Sequence, residues 1–160
     1  MKKKLNKQLK LSDLTSAKPN FHFFGREYEL AGCGPTTLSF LTGDNCYTIS
    51  DLNKQKNKNH YSDKFMVSFL QKRGFNVFRL TDKKLFKGKK KSNAFDEKIT
   101  DSHVLMCCLK LGNGFSSWCV VFQGKYLVHN FQLISMKSLD LLNWPVHNES
   151  RYVIHHPKWK

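Results

Sequence analysis

No stretch of this 160-residue chain is apolar for long enough to cross a bilayer as a helix. The basic start, Met1-Lys2-Lys3-Lys4-Leu5-Asn6-Lys7, is not followed by the apolar run of a signal peptide. These two absences lead us to expect a soluble, cytoplasmic protein with no membrane span. A disulfide framework is missing as well. The five cysteines are odd in number and include the adjacent pair Cys107-Cys108, which suits reduced thiols. Neither an internal repeat nor a recurring βαβ pattern is present, which excludes solenoids and doubly wound sheets. Arginine is scarce, at four of the 27 basic residues. Lysine lacks the planar fork that reads bases or grips phosphate in two places, so base-specific nucleic-acid recognition is not the expected main function.

What is present describes one globular domain. Hydrophobic residues make up 40% of the chain, and 13 phenylalanines argue against disorder. The formal charge is +15, with lysines clustered at Lys2–Lys10, Lys54–Lys58 and Lys83–Lys91. Such a field draws an acidic partner or non-specific nucleic acid. Abundant Lys, Asn and Phe are also what an AT-rich coding sequence favours, which accounts for part of this excess without any partner.

Residues 1–20 form a basic N-terminal arm, and residues 21–160 form a single domain. Phe21, Phe23, Phe24, Tyr28 and Leu30 make an aromatic lead-in to a first helix from Pro35 to Leu41, which stops at Gly43. Asp51 to His60 is polar and reads as a loop or a short exposed helix. Ser62 or Asp63 caps a second helix that ends near Gly74. Phe75–Leu80 alternates like a strand, and Lys83–Ser92 reads as a basic loop. Val104–Leu109 is a continuous apolar run, hence a buried strand, and Gly112-Asn113-Gly114 marks a turn. Trp118–Phe122, then Gln123-Gly124-Lys125, then Tyr126–Phe131 read as a β-hairpin. Arg151–His155 adds a last strand. Helices first and an antiparallel sheet afterwards give an α+β fold.

The chemistry centres on Gly32-Cys33-Gly34-Pro35-Thr36-Thr37, where a loop becomes a helix. Pro35 suits a first helical turn, because the N–H it lacks would have no partner there. Flanking glycines leave the sulfur open to a substrate backbone. Unpaired N–H groups and the dipole at a helix N-terminus stabilise a thiolate, the reactive form of cysteine. Cys33 is thus a candidate nucleophile; the alternative is a buried structural cysteine beside a helix cap.

Cys33–Leu38, the helix and strand from Phe69 to Leu80, the strand at Val104, and Trp-Cys-Val-Val-Phe-Gln-Gly-Lys-Tyr-Leu-Val-His-Asn over 118–130 together resemble the C39-like branch of the papain-fold cysteine peptidases. The resemblance covers about residues 26–134. It implies a papain-like fold, with a thiol nucleophile on an N-terminal helix packed against a C-terminal antiparallel sheet. It also implies a histidine at the start of one hairpin strand and an Asp or Asn on the next strand to orient it. Asn130 matches the orienting position. The histidine position is Ser117, so the site is degenerate there, and a two-residue turn would set 117 opposite 130. A serine cannot accept the thiol proton at neutral pH. The glutamine that such enzymes place before the cysteine, as a donor to the oxyanion, is also missing. Arg26-Glu27-Tyr28-Glu29 stands in its neighbourhood, where Tyr28 or Arg26 could donate and Glu27 would repel a thiolate.

His129 is the candidate to supply the base, although alternation turns His129 and Asn130 to opposite faces of their strand. A bulge or a one-residue slip would reverse that. His103 falls at the far end of its strand, and His22 precedes the cysteine turn. Adjacent His155 and His156 point apart and have no cysteine at ligand spacing, so no metal is expected, and no cofactor. The catalytic set is therefore Cys33, His129 and Asn130. Together they would make a thiol protease or amidase acting on a peptide or isopeptide bond of a protein or peptide substrate. The alternative is an inactive papain-fold protein that binds a peptide, an acidic protein or nucleic acid. A basic nucleic-acid-binding module whose fold is incidental is the third reading.

Overall fold

Among the described residues, three helices precede all of a six-stranded antiparallel sheet, an α+β arrangement. The computed structural model describes residues 11–54, 61–80, 100, 102–110, 116–135 and 146–159. The expected loop at Lys83–Ser92, the turn at Gly112–Gly114 and the side chains of all three lysine clusters lie outside the described residues. No helix among the described residues is long and apolar enough to cross a membrane.

Helix α1 (Cys33–Thr42) is the centre of the molecule. Every residue from Gly34 to Leu41 is buried, so the helix is covered on all sides and has no solvent face. Gly43 ends it in the left-handed conformation (φ 84°), returning its N–H to Ser39 O at 2.8 Å. Helix α2 (Cys46–Lys54) packs beside it. Helix α3 (Asp63–Gln71) begins as its cap predicts, with the Ser62 hydroxyl accepting the Phe65 N–H at 3.1 Å. The chain then turns through Gly74 (φ 87°), and the Phe75 N–H closes on Leu70 O.

Strands β1 (Asn76–Arg79), β2 (Val104–Lys110), β3 (Ser116–Phe122), β4 (Tyr126–His129), β5 (Gln132–Ser135) and β6 (Val146–His155) lie in the spatial order β1-β6-β2-β3-β4-β5. Both faces of the central strands are covered, which explains the unbroken apolar run in β2. Val104, Met106 and Cys108 join Trp118, Val120, Val128 and the helices in one cluster. Leu105, Cys107, Leu109, Cys119, Val121 and Leu127 face the other way, into a cluster completed by Leu11, Leu14 and Leu80. Within the arm expected over residues 1–20, Leu11, Leu14 and Ser16 are thus buried. Leu11 and Leu14 sit in a 3-10 turn against the far face of the sheet, and Ser16 N–H bonds Ser102 O at 2.8 Å.

Two expectations about the hairpin need correction. Phe122 pairs with Tyr126, so the β3–β4 loop holds three residues, with Gln123 and Gly124 both left-handed. The extra residue slips the register by one, and Trp118 rather than Ser117 comes level with Asn130. Second, β4 stops at His129. Asn130 and Phe131 (φ 50° and 62°) form a further tight turn, across which His129 pairs with Gln132 of β5.

His103 fastens the N-terminal turn to the sheet. Its Nδ1 accepts the Thr100 N–H at 2.9 Å, which leaves the proton on Nε2 for Leu11 O at 3.0 Å. Burial holds its pKa below the ordinary histidine value, outweighing these two backbone bonds. The unfolded chain therefore binds more protons than the native one from about pH 6.5 downward, until the lowered native value is reached. Stability should fall as pH drops through that window. Urea titrations of the wild type and His103→Gln at neutral and mildly acidic pH check this, with the variant expected to show a shallower slope that His155, also depressed by burial, does not abolish.

Candidate active site

Cys33 opens α1 at the end of β4, against the start of β3. Gly32 occupies the N-cap (φ 95°, ψ 169°) and gives no side-chain cap, so no capping side chain covers the N–H groups of the first turn. The sulfur accepts the backbone N–H of Trp118 at 3.3 Å. The register explains why that N–H is available. Strand β4 has its last paired residue with β3 at Val128, so the edge of β3 near Trp118 faces the helix terminus instead of a strand. The glycine after the cysteine is required by a close approach. A Cβ on Gly34 would overlap the ring of Tyr61, whose carbonyl in turn accepts the Trp118 Nε1–H at 2.9 Å. Tyr61 and Trp118 together form a wall beside the sulfur.

The three expected site residues lie around this point, but in two separate bonded pairs. His129 Nε2 is hydrogen-bonded to the Ser117 hydroxyl. Asn130 Oδ1 accepts from Thr36 Oγ1 at 3.1 Å. That hydroxyl has one proton and also lies 2.8 Å from Gly32 O and 3.2 Å from Cys33 O. Turning the Asn130 carboxamide so that its NH2 meets Thr36 would satisfy both groups and free the amide oxygen. Alternation holds as expected, with Leu127 on the far face of the sheet and Val128 on the helix face. Ser117 and Trp118 are consecutive, so standard bond lengths and the two contacts keep Cys33 Sγ and His129 Nε2 within about 10 Å of each other.

Other candidates are elsewhere. His22 lies against Gly43, at the opposite end of α1 and about 15 Å of helix away from the cysteine. His103 belongs to the N-terminal turn, and His156 Nε2 meets Arg73 O at 3.0 Å. The side chains of Arg26 and Glu29 are outside the described residues. The Glu27 carboxylate lies over Gly25, and its carbonyl accepts the Tyr47 hydroxyl. Tyr28 O faces Cys46 Sγ at 3.7 Å. No group of three metal-ligating side chains occurs among the described residues.

Sequence reasoning missed Tyr61, Thr36 and a polar knot beside the site. In that knot Asp63 Oδ2 accepts from Arg79 Nη2 at 2.9 Å and from the Ser150 and Tyr152 hydroxyls. It ties the start of α3 to β1 and β6. Burial and the Asp63 carboxylate push the Tyr152 hydroxyl up to about 12. Gly34 was the available signal for Tyr61, since a glycine inside a first helical turn marks a close neighbour. No family model, curated protein or solved structure matches this chain.

The five thiols are free and unequal. Cys33 is half-buried; the other four are buried. Burial pushes Cys107 up to about 12 and Cys108 up to about 11, and also raises Cys119 and Cys46. Near neutral pH, iodoacetamide should therefore label Cys33 in the folded protein well before the others. Peptide mapping by mass spectrometry reads the order, and comparable labelling of Cys107 or Cys119 under native conditions would contradict it.

Proposed function

We propose that this chain is a papain-like, C39-like thiol hydrolase that cleaves a peptide or isopeptide bond with Cys33 as nucleophile. One observation carries the reading. The thiol and the only histidine side chain bonded beside it among the described residues converge on the consecutive residues Ser117 and Trp118. The first turn of α1 and the backbone N–H of Trp118 both meet the Cys33 sulfur.

In this reading His129 takes the Cys33 proton, and the thiolate attacks the carbonyl carbon of the scissile amide. The uncapped N–H groups of the first turn of α1 face the oxyanion, in place of the missing glutamine. Collapse of the tetrahedral species expels the amine, which takes its proton from the imidazolium, and leaves a thioester on Cys33. His129 then deprotonates a water that hydrolyses the thioester and regenerates the thiol. Asn130, anchored to α1 through Thr36, holds the turn that follows His129 against the cysteine-bearing helix.

A second reading has its own observation. Ser117 stands where the family has histidine, and both His129 and Asn130 are bonded away from the sulfur, as in a papain-fold protein that binds a peptide without cutting it. A peptide vinyl sulfone distinguishes the two. For the hydrolase, labelling should vanish in Cys33→Ala and slow by about a hundredfold in His129→Ala, while Ser117→His changes little. If His129→Ala leaves the rate unchanged and Ser117→His accelerates it, the base has been lost and the binding reading holds.

A further inference from the structure

The turn joining β4 to β5 departs from its expected chemistry. His129 and Gln132 pair directly across two residues that are both left-handed, Asn130 (φ 50°) and Phe131 (φ 62°). A two-residue turn of this kind ordinarily reads Asn-Gly. Asparagine tolerates the left-handed region; a bulky side chain is rare there and persists only where its surroundings hold it. The ring of Phe131 shows what holds it. It meets Phe24 edge-on with centroids 5.7 Å apart, Tyr28 at 6.1 Å and Phe40 at 6.4 Å.

All three partners belong to the segment that carries the thiol. Phe24 and Tyr28 lie in the lead-in to Cys33, Tyr28 within the 3-10 turn Arg26–Ala31, and Phe40 lies on α1. Phe131 belongs to the hairpin that carries His129 and Asn130. Leu127 and Val128 anchor β4 in the sheet, but β5 adds nothing beyond the turn, since each of its residues is exposed, Leu133 and Ile134 included.

We propose that Phe131 is a positioning residue whose ring clamps the β4–β5 turn onto the cysteine-bearing segment and so fixes His129 and Asn130 relative to Cys33. This rests on the reading of Cys33 as a nucleophile served by His129. A glycine at 131 would suit the backbone better and leave Asn130–Thr36 as the hydrogen bond that ties the turn to α1. The local preference for glycine and the need for the ring are in conflict, and the ring prevails.

The test is the rate of Cys33 labelling by the peptide vinyl sulfone as a function of pH, with urea denaturation as the measure of stability. Phe131→Gly should fold with undiminished stability, yet label roughly tenfold to a hundredfold more slowly. It should also lose the inflection in the pH profile that His129→Ala removes. Phe131→Tyr, which restores a ring, should return the profile. Phe24→Ala removes the facing ring without touching the turn and should reproduce the Phe131→Gly profile; it decides the matter alone if Phe131→Gly does not fold. Wild-type rates and profiles in both Phe131→Gly and Phe24→Ala, with His129→Ala slowed, overturn the clamp and leave the hydrolase reading standing. A His129→Ala rate equal to wild type overturns the hydrolase reading, and the clamp with it.

Discussion

The contact on which this structure turns is the one between the start of α1 and the free edge of β3. A helix buried on every side from Gly34 to Leu41 must have its terminal N–H groups close to something, and here they are close to a strand that has lost its neighbour. The Trp118 N–H would otherwise lack a partner at the edge of a buried sheet, at a cost of about 1–3 kcal/mol. The Cys33 sulfur accepts it. Nothing bulkier than glycine fits at position 34, because Tyr61 closes over the turn there and holds the Trp118 indole through its carbonyl. The packing that seats the helix is therefore the same packing that presents the thiol.

Much of the fold was legible because local and long-range signals agreed. Ser62 before an apolar helical period, Gly43 and Gly74 after two such periods, and the unbroken run at Val104–Leu109 each produce the expected element. What was not legible depended on a count of one. Gln123-Gly124 looks like a complete two-residue turn, but Lys125 joins it, and every pairing beyond moves by a residue. Strand β5 escaped notice for a related reason. Asn130-Phe131 lacks the glycine that would have announced a second turn, so Tyr126–Phe131 read as one strand.

The far face of the sheet was hidden for a different reason. A lysine-rich start predicts a solvated arm, yet Leu11 and Leu14 are two of the residues that cover Leu105, Cys107 and Val153. Two leucines among charged neighbours carry almost no periodic signal. Their burial depends on a surface made by strands about ninety residues later, and on the bond from His103 Nε2 to Leu11 O that no local pattern announces. The site was legible in the same partial way. The cysteine turn could be read from Gly, Cys and Pro, whereas its neighbours Tyr61 and Thr36 belong to it only through tertiary packing.

The register slip also settles how a serine and a histidine come together. With Trp118 level with Asn130, the side chains at 117 and 129 share the far side of the hairpin, and each finds the other as its partner. With the two-residue turn, Ser117 would have come level with Asn130 and shared its face, not that of His129. One extra loop residue thus pairs the imidazole with Ser117, while the amide of Asn130 turns toward α1 and Thr36. The arrangement holds two polar groups on opposite faces of one strand end, each bonded, with the thiol on the edge of β3 at Trp118. The sulfur and the imidazole thus bond to consecutive residues of β3, Trp118 through its N–H and Ser117 through its hydroxyl.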